Sequence, residues 1–236
     1  MLNFRALLMI LDTLLWTVIG IFSILIDFSG RLYMLCASKG WARQIMWISA
    51  AKVIVKGGEN VDWNRSYIVV SNHQSQLDIP LLFMYLPTPI RFLAKKSLFY
   101  IPLFGWSLII TGFIPVDRGS VKRARRSIER ASNRVKKGAS LVVFAEGTRS
   151  SDGSISPFKS GAFLMAIKSG VPILPVAIRG TRHVIPKDKL RVFTGRKVEL
   201  LIGSPIETDS LSIKDKERLR TDVQENVESM FNASNP

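Results

Sequence analysis

Cysteine and histidine are almost missing from this chain. Cys36 stands alone, which rules out an internal disulfide and fits a reducing compartment. His73 and His183 are the only histidines, so the nitrogen and sulfur donors of a zinc site are too few. No ligand-spaced acidic cluster offers a carboxylate site instead, and no metal is expected. A Gly-x-Ser-x-Gly elbow is also absent, which leaves an acyl-serine intermediate with little support. Ser75, although near His73, has nothing to mark it as a nucleophile. There is no Walker loop, no dinucleotide glycine fingerprint, no internal repeat and no low-complexity tract. Acidic residues are scarce too: 18 Asp and Glu stand against 33 Lys and Arg, a net charge of +15.

Such an excess of base attracts polyanions: nucleic acid, anionic lipid headgroups or an acidic carrier protein. Composition alone does not choose among them. With 236 residues, 47% of them hydrophobic, the chain is long and apolar enough for one full α/β core. Its apolar residues concentrate at the N-terminus. Leu7 to Ile26 contains a single charge, Asp12, and Thr13 to Ile26 has none. A bilayer span takes about 20 apolar residues, so this run is borderline. Asp12 and Asp27 bracket it, and no small-residue cleavage site follows directly, where Asp27, Phe28 and Ser29 stand. Arg31 to Ala51 then mixes Arg31, Lys39 and Arg43 with Tyr33, Trp41 and Trp47, a composition suited to the headgroup layer. Residues 1–50 are therefore expected to form two membrane-associating helices lying in one leaflet, with the basic residues on the cytosolic side. Residues 51–236 are expected to form the α/β domain.

Beyond Ala51 the pattern alternates. Strands are expected at Lys52–Lys56, Tyr67–Ser71, Ile90–Ala94, Phe113–Val116, Leu141–Phe144, Ile173–Ile178 and Val198–Ile202. Helices are expected at Asp78–Tyr85, with Asp78 as N-cap, and at Ser120–Lys137, Gly161–Lys168 and Ile213–Met230. Leu98–Ile110 is apolar but broken by Pro102 and Gly105. This alternation predicts an α/β fold, a mostly parallel mixed sheet flanked by helices. In such sheets, sites collect at the loops beyond the strand ends.

Three polar clusters fall at such ends. The first runs Asn72-His73-Gln74-Ser75-Gln76-Leu77-Asp78. His73 and Asp78 can meet across a tight strand-to-helix turn, where the carboxylate would fix one ring nitrogen and leave the other as a base. Separate roles, with Asp78 only capping its helix, fit the spacing equally. In the second, Asp117-Arg118-Gly119, the arginine is placed to hold an anion or simply to pair with Asp117. In the third, Glu146-Gly147-Thr148-Arg149-Ser150, the glycine permits close backbone approach, and Thr148 and Arg149 can bind phosphate oxygens. Lys95 and Lys96 add charge after another strand. Pro157–Gly161 and Val171–Val176 look structural.

Taken in order, these blocks resemble the glycerolipid acyltransferase family, specifically bacterial-type 1-acyl-sn-glycerol-3-phosphate acyltransferases. The Asn72–Asp78 block, the Arg118 block after a short strand, the Glu146-Gly147-Thr148-Arg149 block and the proline-containing strand Val171–Val176 follow the family pattern. Ala94–Leu98 and Ile101–Trp106 are also similar, and the resemblance covers roughly Val53 to Ile206. One residue departs: Ala145 stands where proline is frequent. The resemblance implies an acyl thioester donor, on acyl-carrier protein or coenzyme A, as co-substrate rather than cofactor. It implies a lysophosphatidate acceptor, with His73 as base and Asp78 as its orienting partner. Arg118, Glu146, Gly147, Thr148 and Arg149, with Lys95 and Lys96 beside them, would receive the acceptor. The expected setting is the cytosolic face of the cell membrane. An acyltransferase for another lysolipid, or a non-catalytic lipid binder on the same fold, are the alternatives. A nucleic-acid binder is disfavoured by the apolar N-terminus and the lack of any such motif.

Overall fold

The computed structural model describes residues 3–28, 30–117, 121–136, 138–187, 189 and 191–233. Seven strands form one sheet: β1 (Lys52–Gly57), β2 (Ile68–Ser71), β3 (Ile90–Lys95), β4 (Ile114–Val116), β5 (Ser140–Phe144), β6 (Ile173–Arg179) and β7 (Lys197–Ile202). Their spatial order is β1-β7-β6-β2-β5-β3-β4. All neighbours pair parallel except β6 with β7. The fold is thus the α/β arrangement expected, a mostly parallel mixed sheet flanked by helices. The antiparallel pair of this mixed sheet is β6–β7, a choice the sequence leaves open because strand direction leaves no trace in a short apolar run.

Strand β2 is buried at every residue and β6 at all but its last. Both are continuous apolar runs, as strands covered on both faces must be. Side chains alternate between two cores. Val69, Val142, Leu174 and Val176 pack with Leu81 and Phe83 of helix α4 (Asp78–Tyr85). Ile68, Val70, Leu141 and Val143 pack with Phe163 and Met165 of α7 (Gly161–Ser169) and Val223 of α9 (Lys216–Asn232). Helix α6 (Val121–Lys136) covers the same side, and its ends meet residues 120 and 137, outside the described set. The apolar stretch after β3 divides, as its Pro102 and Gly105 suggest, into a 3-10 turn at Lys96–Tyr100 and α5 (Phe104–Ile110). A short α8 (Thr181–Val184) is additional.

The N-terminal residues form α1 (Phe4–Ile26) and then a second helical run made of α2 (Arg31–Leu35), a π-helical turn (Cys36–Trp41) and α3 (Ala42–Ser49). Helix α1 inverts the usual pattern. Its buried residues are small or polar — Ala6, Thr17, Gly20 and Ser23, with Met9 the exception — while Phe4, Leu11, Leu14, Leu15, Phe22, Leu25 and others lie exposed. Small residues let the two helical runs touch closely. A Cβ at Gly20 would strike the Tyr33 ring, and one at Gly40 would fall inside the Trp16 indole. Hydrogen bonds from Trp41 Nε1 to Thr13 Oγ1 (3.0 Å) and from Trp16 Nε1 to Gln44 Oε1 (2.8 Å) complete the contact.

Gly40→Val is expected to lower the thermal midpoint of unfolding, since neither the backbone nor the indole can yield cheaply. The same change in a Trp16→Ala background should cost less, and the double-mutant cycle measures the difference. Equal losses in both backgrounds would show that this contact is not what Gly40 serves.

Candidate active site

Parallel pairing brings the ends of β2, β3, β4, β5 and β6 to one edge of the sheet. The chain leaves β2 at Asn72, whose amide locks onto β6: Nδ2 donates to Ile178 O and Oδ1 accepts from Ile178 N, both at 2.8 Å. His73 follows at the mouth of a tight turn. Its Nδ1 lies 2.7 Å from Asp78 Oδ2. The same oxygen accepts from the backbone N–H of Gln74 (2.7 Å) and of Ser75 (3.0 Å). Asp78 is fully buried and opens α4 as its first helical residue. It is therefore not the N-cap expected from sequence: the cap position is Leu77, and the carboxylate turns back into the loop. A carboxylate only accepts, so this contact calls for a proton on His73 Nδ1, which in a neutral imidazole leaves the lone pair on Nε2. Ser75 Oγ donates to Ile185 O at 2.7 Å and braces the turn.

The His73 ring stacks on Phe144 with centroids 3.8 Å apart. Phe144 in turn stacks on Phe92, which with Phe83 and Phe113 forms an aromatic cluster reaching Trp41 of the N-terminal helices. Beyond β5, Glu146 is buried, at 3% exposure. One of its oxygens accepts from His73 N (2.7 Å) and the other from Ser156 N (2.9 Å). It ties two loops together. Gly147 has φ +78°, and a Cβ there would lie 2.8 Å from Lys159 Nζ. Thr148 is exposed and Arg149 half-buried, its Nη1 donating to Lys187 O at 3.0 Å. Lys95 is exposed, while Lys96 approaches Asp117 at 3.8 Å beside Arg123 at 2.9 Å. Arg118 lies outside the described residues.

Two features escaped the sequence reading. Lys159 belongs to a segment read as structural, yet it lies over Gly147. A cavity of about 350 Å³ beside Ser150 is lined by Arg182, His183, Lys187, Lys189 and Arg196. It adjoins the site, since Ser150 N donates to His73 O at 2.8 Å. Burial and the neighbouring Arg182 and Arg196 hold His183 below its ordinary pKa.

Residues 52–179 match the family model described as Acyltransferase, a span that holds every described element of this site from His73 to Arg149. The chain belongs to the acyltransferase family. It is 33% identical to the 1-acyl-sn-glycerophosphate (LPA) acyltransferase PlsC of Thermotoga maritima, whose crystal structure superposes with a TM-score of 0.82 over 95% of this chain and 92% of that one. It is 33% identical to a Borreliella burgdorferi 1-acyl-sn-glycerol-3-phosphate acyltransferase over 77% of this chain and 72% of the relative. A chloroplastic enzyme of the same name from Brassica napus is 37% identical over 78% of this chain. The chain spans about half the length of such plant relatives, 54% and 52% for two of them.

Burial raises the pKa of Glu146, and the two backbone donors only partly oppose this. A folded-state pKa above the ordinary value of 4.5 means that the unfolded chain releases this proton first. The contribution of Glu146 to stability is then full below pH 4.5 and is lost as pH rises through the higher folded value. In Glu146→Gln this slope should vanish. Denaturant unfolding of both forms across this range checks it. A constant stability difference between them would contradict the assignment.

Proposed function

We propose that this acyltransferase moves a fatty acyl group from an acyl thioester to the sn-2 hydroxyl of a 1-acyl-glycerol-3-phosphate, giving phosphatidate. The observation that carries the reading is the 2.7 Å contact from His73 Nδ1 to a fully buried Asp78 carboxylate within a matched acyltransferase domain. His73 Nε2 takes the proton of the acceptor hydroxyl as its oxygen attacks the thioester carbonyl. Asp78 stabilises the imidazolium, and the proton then passes to the departing thiolate. Because the hydroxyl attacks directly, no acyl-enzyme forms. Arg149 with Gly147, Thr148, Lys95 and Lys96 receives the acceptor phosphate, and Arg118 belongs to the same reading. Glu146 holds their loop against His73 N. The donor is an acyl-carrier protein or coenzyme A thioester, acting as co-substrate with no resident metal or cofactor. Incubating the chain in neutral detergent with lysophosphatidate and each donor in turn, then identifying products by mass spectrometry, tests the reading. Phosphatidate should form. Acylation of a different lysolipid in its place would overturn the acceptor.

The membrane part of the reading rests on α1. Its exposed Phe, Leu and Ile face has no partner among the described residues, and α5 adds exposed Trp106, Ile109 and Ile110. Helix α1 is long and apolar enough to cross a bilayer. Its contact along the whole second helical run favours lying in one leaflet, with both chain ends on the cytosolic face of the cell membrane.

His73→Ala should lower turnover by about 10²–10⁴-fold with the fold retained by circular dichroism. Asp78→Asn should also cost activity heavily, because the neutral amide no longer stabilises the imidazolium. A folded His73→Ala protein with most of its turnover would refute the base. Arg149→Ala should raise KM for the acceptor about tenfold or more and leave KM for the donor nearly unchanged. Equal effects on both substrates would remove Arg149 from the phosphate site.

A further inference from the structure

The far face of the sheet carries a second basic cavity that acyl transfer leaves unused. Along β3, Phe92 faces the aromatic stack beneath His73, whereas Arg91, in register with Leu141, faces the α6 layer. Arg91 and Arg134 of α6 meet there at a cavity of about 250 Å³, with Leu141 and Val135 as its apolar wall and Ile110 and Gly112 at its rim. The two guanidinium groups lie close together. A Cβ at Gly112 would be 2.7 Å from Arg134 Nη1 and 3.2 Å from Arg91 Nε. Arg134 Nη1 donates to Gly112 O at 2.9 Å and Arg91 Nη1 to Ile90 O at 3.2 Å, and neither has a carboxylate partner among the described residues. A guanidinium carries five N–H donors, so most of the pair's hydrogen-bonding capacity remains open. Carbonyls at the end of α5 offset some of the charge, but a helix terminus carries only about half a unit. Burial and the approach of Arg134 both lower the pKa of Arg91. Two like charges around a partly enclosed space are relieved by an anion with several acceptor oxygens, and a phosphate matches this fork geometry.

The position of the cavity identifies the source of that phosphate. Ile110 ends α5, whose exposed Trp106, Ile109 and Ile110 are apolar. The turn after α1 abuts the same residue, since a Cβ at Gly30 would lie 3.4 Å from Ile110 O. The cavity thus borders the exposed apolar surface of α1 and α5. We propose that the Arg91–Arg134 cavity is a second anion site, separate from His73, that takes the phosphate of an anionic membrane lipid. The lipid source rests on the membrane reading above, since only a protein seated through α1 and α5 brings this rim to headgroup depth.

The test uses the full chain and two charge-matched variants. R91Q/R134Q empties the cavity of its charge. R126Q/R130Q removes as much charge from exposed positions on the same helix. Each protein, added from neutral detergent, is partitioned onto phosphatidylcholine vesicles with and without phosphatidylglycerol. Separately, its thermal midpoint is read with inorganic phosphate against chloride at equal ionic strength. All three should bind neutral vesicles alike. The gain from phosphatidylglycerol should fall about tenfold further in R91Q/R134Q than in R126Q/R130Q. Phosphate should raise the midpoint of R91Q/R134Q by clearly less than those of the wild type and R126Q/R130Q, the remainder being what the residues around Arg149 supply. Should R91Q/R134Q fail to fold, Arg134→Lys keeps the charge without the fork and should still show a smaller phosphate shift than the wild type. Equal losses in the two double variants would reduce the effect to diffuse surface charge and overturn the site. A larger phosphate shift in the proteins with the cavity intact, without a preference for phosphatidylglycerol, would overturn the lipid source. Failure of the wild type to bind even neutral vesicles would overturn the membrane reading and the lipid assignment with it.

Discussion

One carboxylate oxygen organises the reactive end of this protein. Asp78 Oδ2 accepts from His73 Nδ1 and from the backbone N–H of Gln74 and Ser75. Burying an ionised carboxylate costs several kcal/mol unless it is well paired. Each hydrogen bond to a charged group contributes about 1.5–3 kcal/mol, so three donors on one oxygen offset part of that cost, while Asp78 Oδ1 is buried without a hydrogen-bond partner among the described residues. The arrangement shapes the turn and fixes the tautomer of His73 at once. A turn of any other shape would lose the amide bonds, and an inverted imidazole would lose the proton donor. Loop geometry and chemical role therefore share one cause.

The strands supply the frame for that turn. Parallel pairing of β2 with β5 places the loop after Ser71 beside the loop after Phe144, so Glu146 can reach His73 N and Phe144 can lie flat under the imidazole. Pairing of β2 with β6 lets Asn72 close its two hydrogen bonds to Ile178. The N-terminal helices join the same framework through Trp41, which meets Phe83 edge-on and so touches the aromatic cluster below His73. In this way the surface proposed to meet lipid is joined through packed rings to the turn that carries His73.

Much of this was legible from residues alone, for identifiable reasons. Apolar runs with β-branched residues marked the strands to within a residue or two, and His73 and Asp78 lay close enough in the chain for a local turn to join them. What escaped detection depended on distant partners. The resemblance gives Glu146 an acceptor contact, and the bracing bonds it also makes to His73 N and Ser156 N come from residues distant in the chain. Lys159 sits in a segment that looks like loop shaping until the chain folds it over Gly147. The basic cavity beside Ser150 gathers side chains from α8, from the segment after it and from just before β7, with no motif to announce it. The direction of β7 is likewise decided by tertiary packing rather than by local pattern.

The central claim is that Asp78 holds His73 with its proton on Nδ1 and its lone pair on Nε2. Nitrogen-15 NMR of the protein labelled at histidine reads this directly, with His183→Gln used to assign the two rings. His73 in the neutral enzyme should show a protonated Nδ1 and an unprotonated Nε2, and Asp78→Asn should erode that preference. A neutral His73 carrying its proton on Nε2, or a tautomer ratio indifferent to Asp78, would contradict the account.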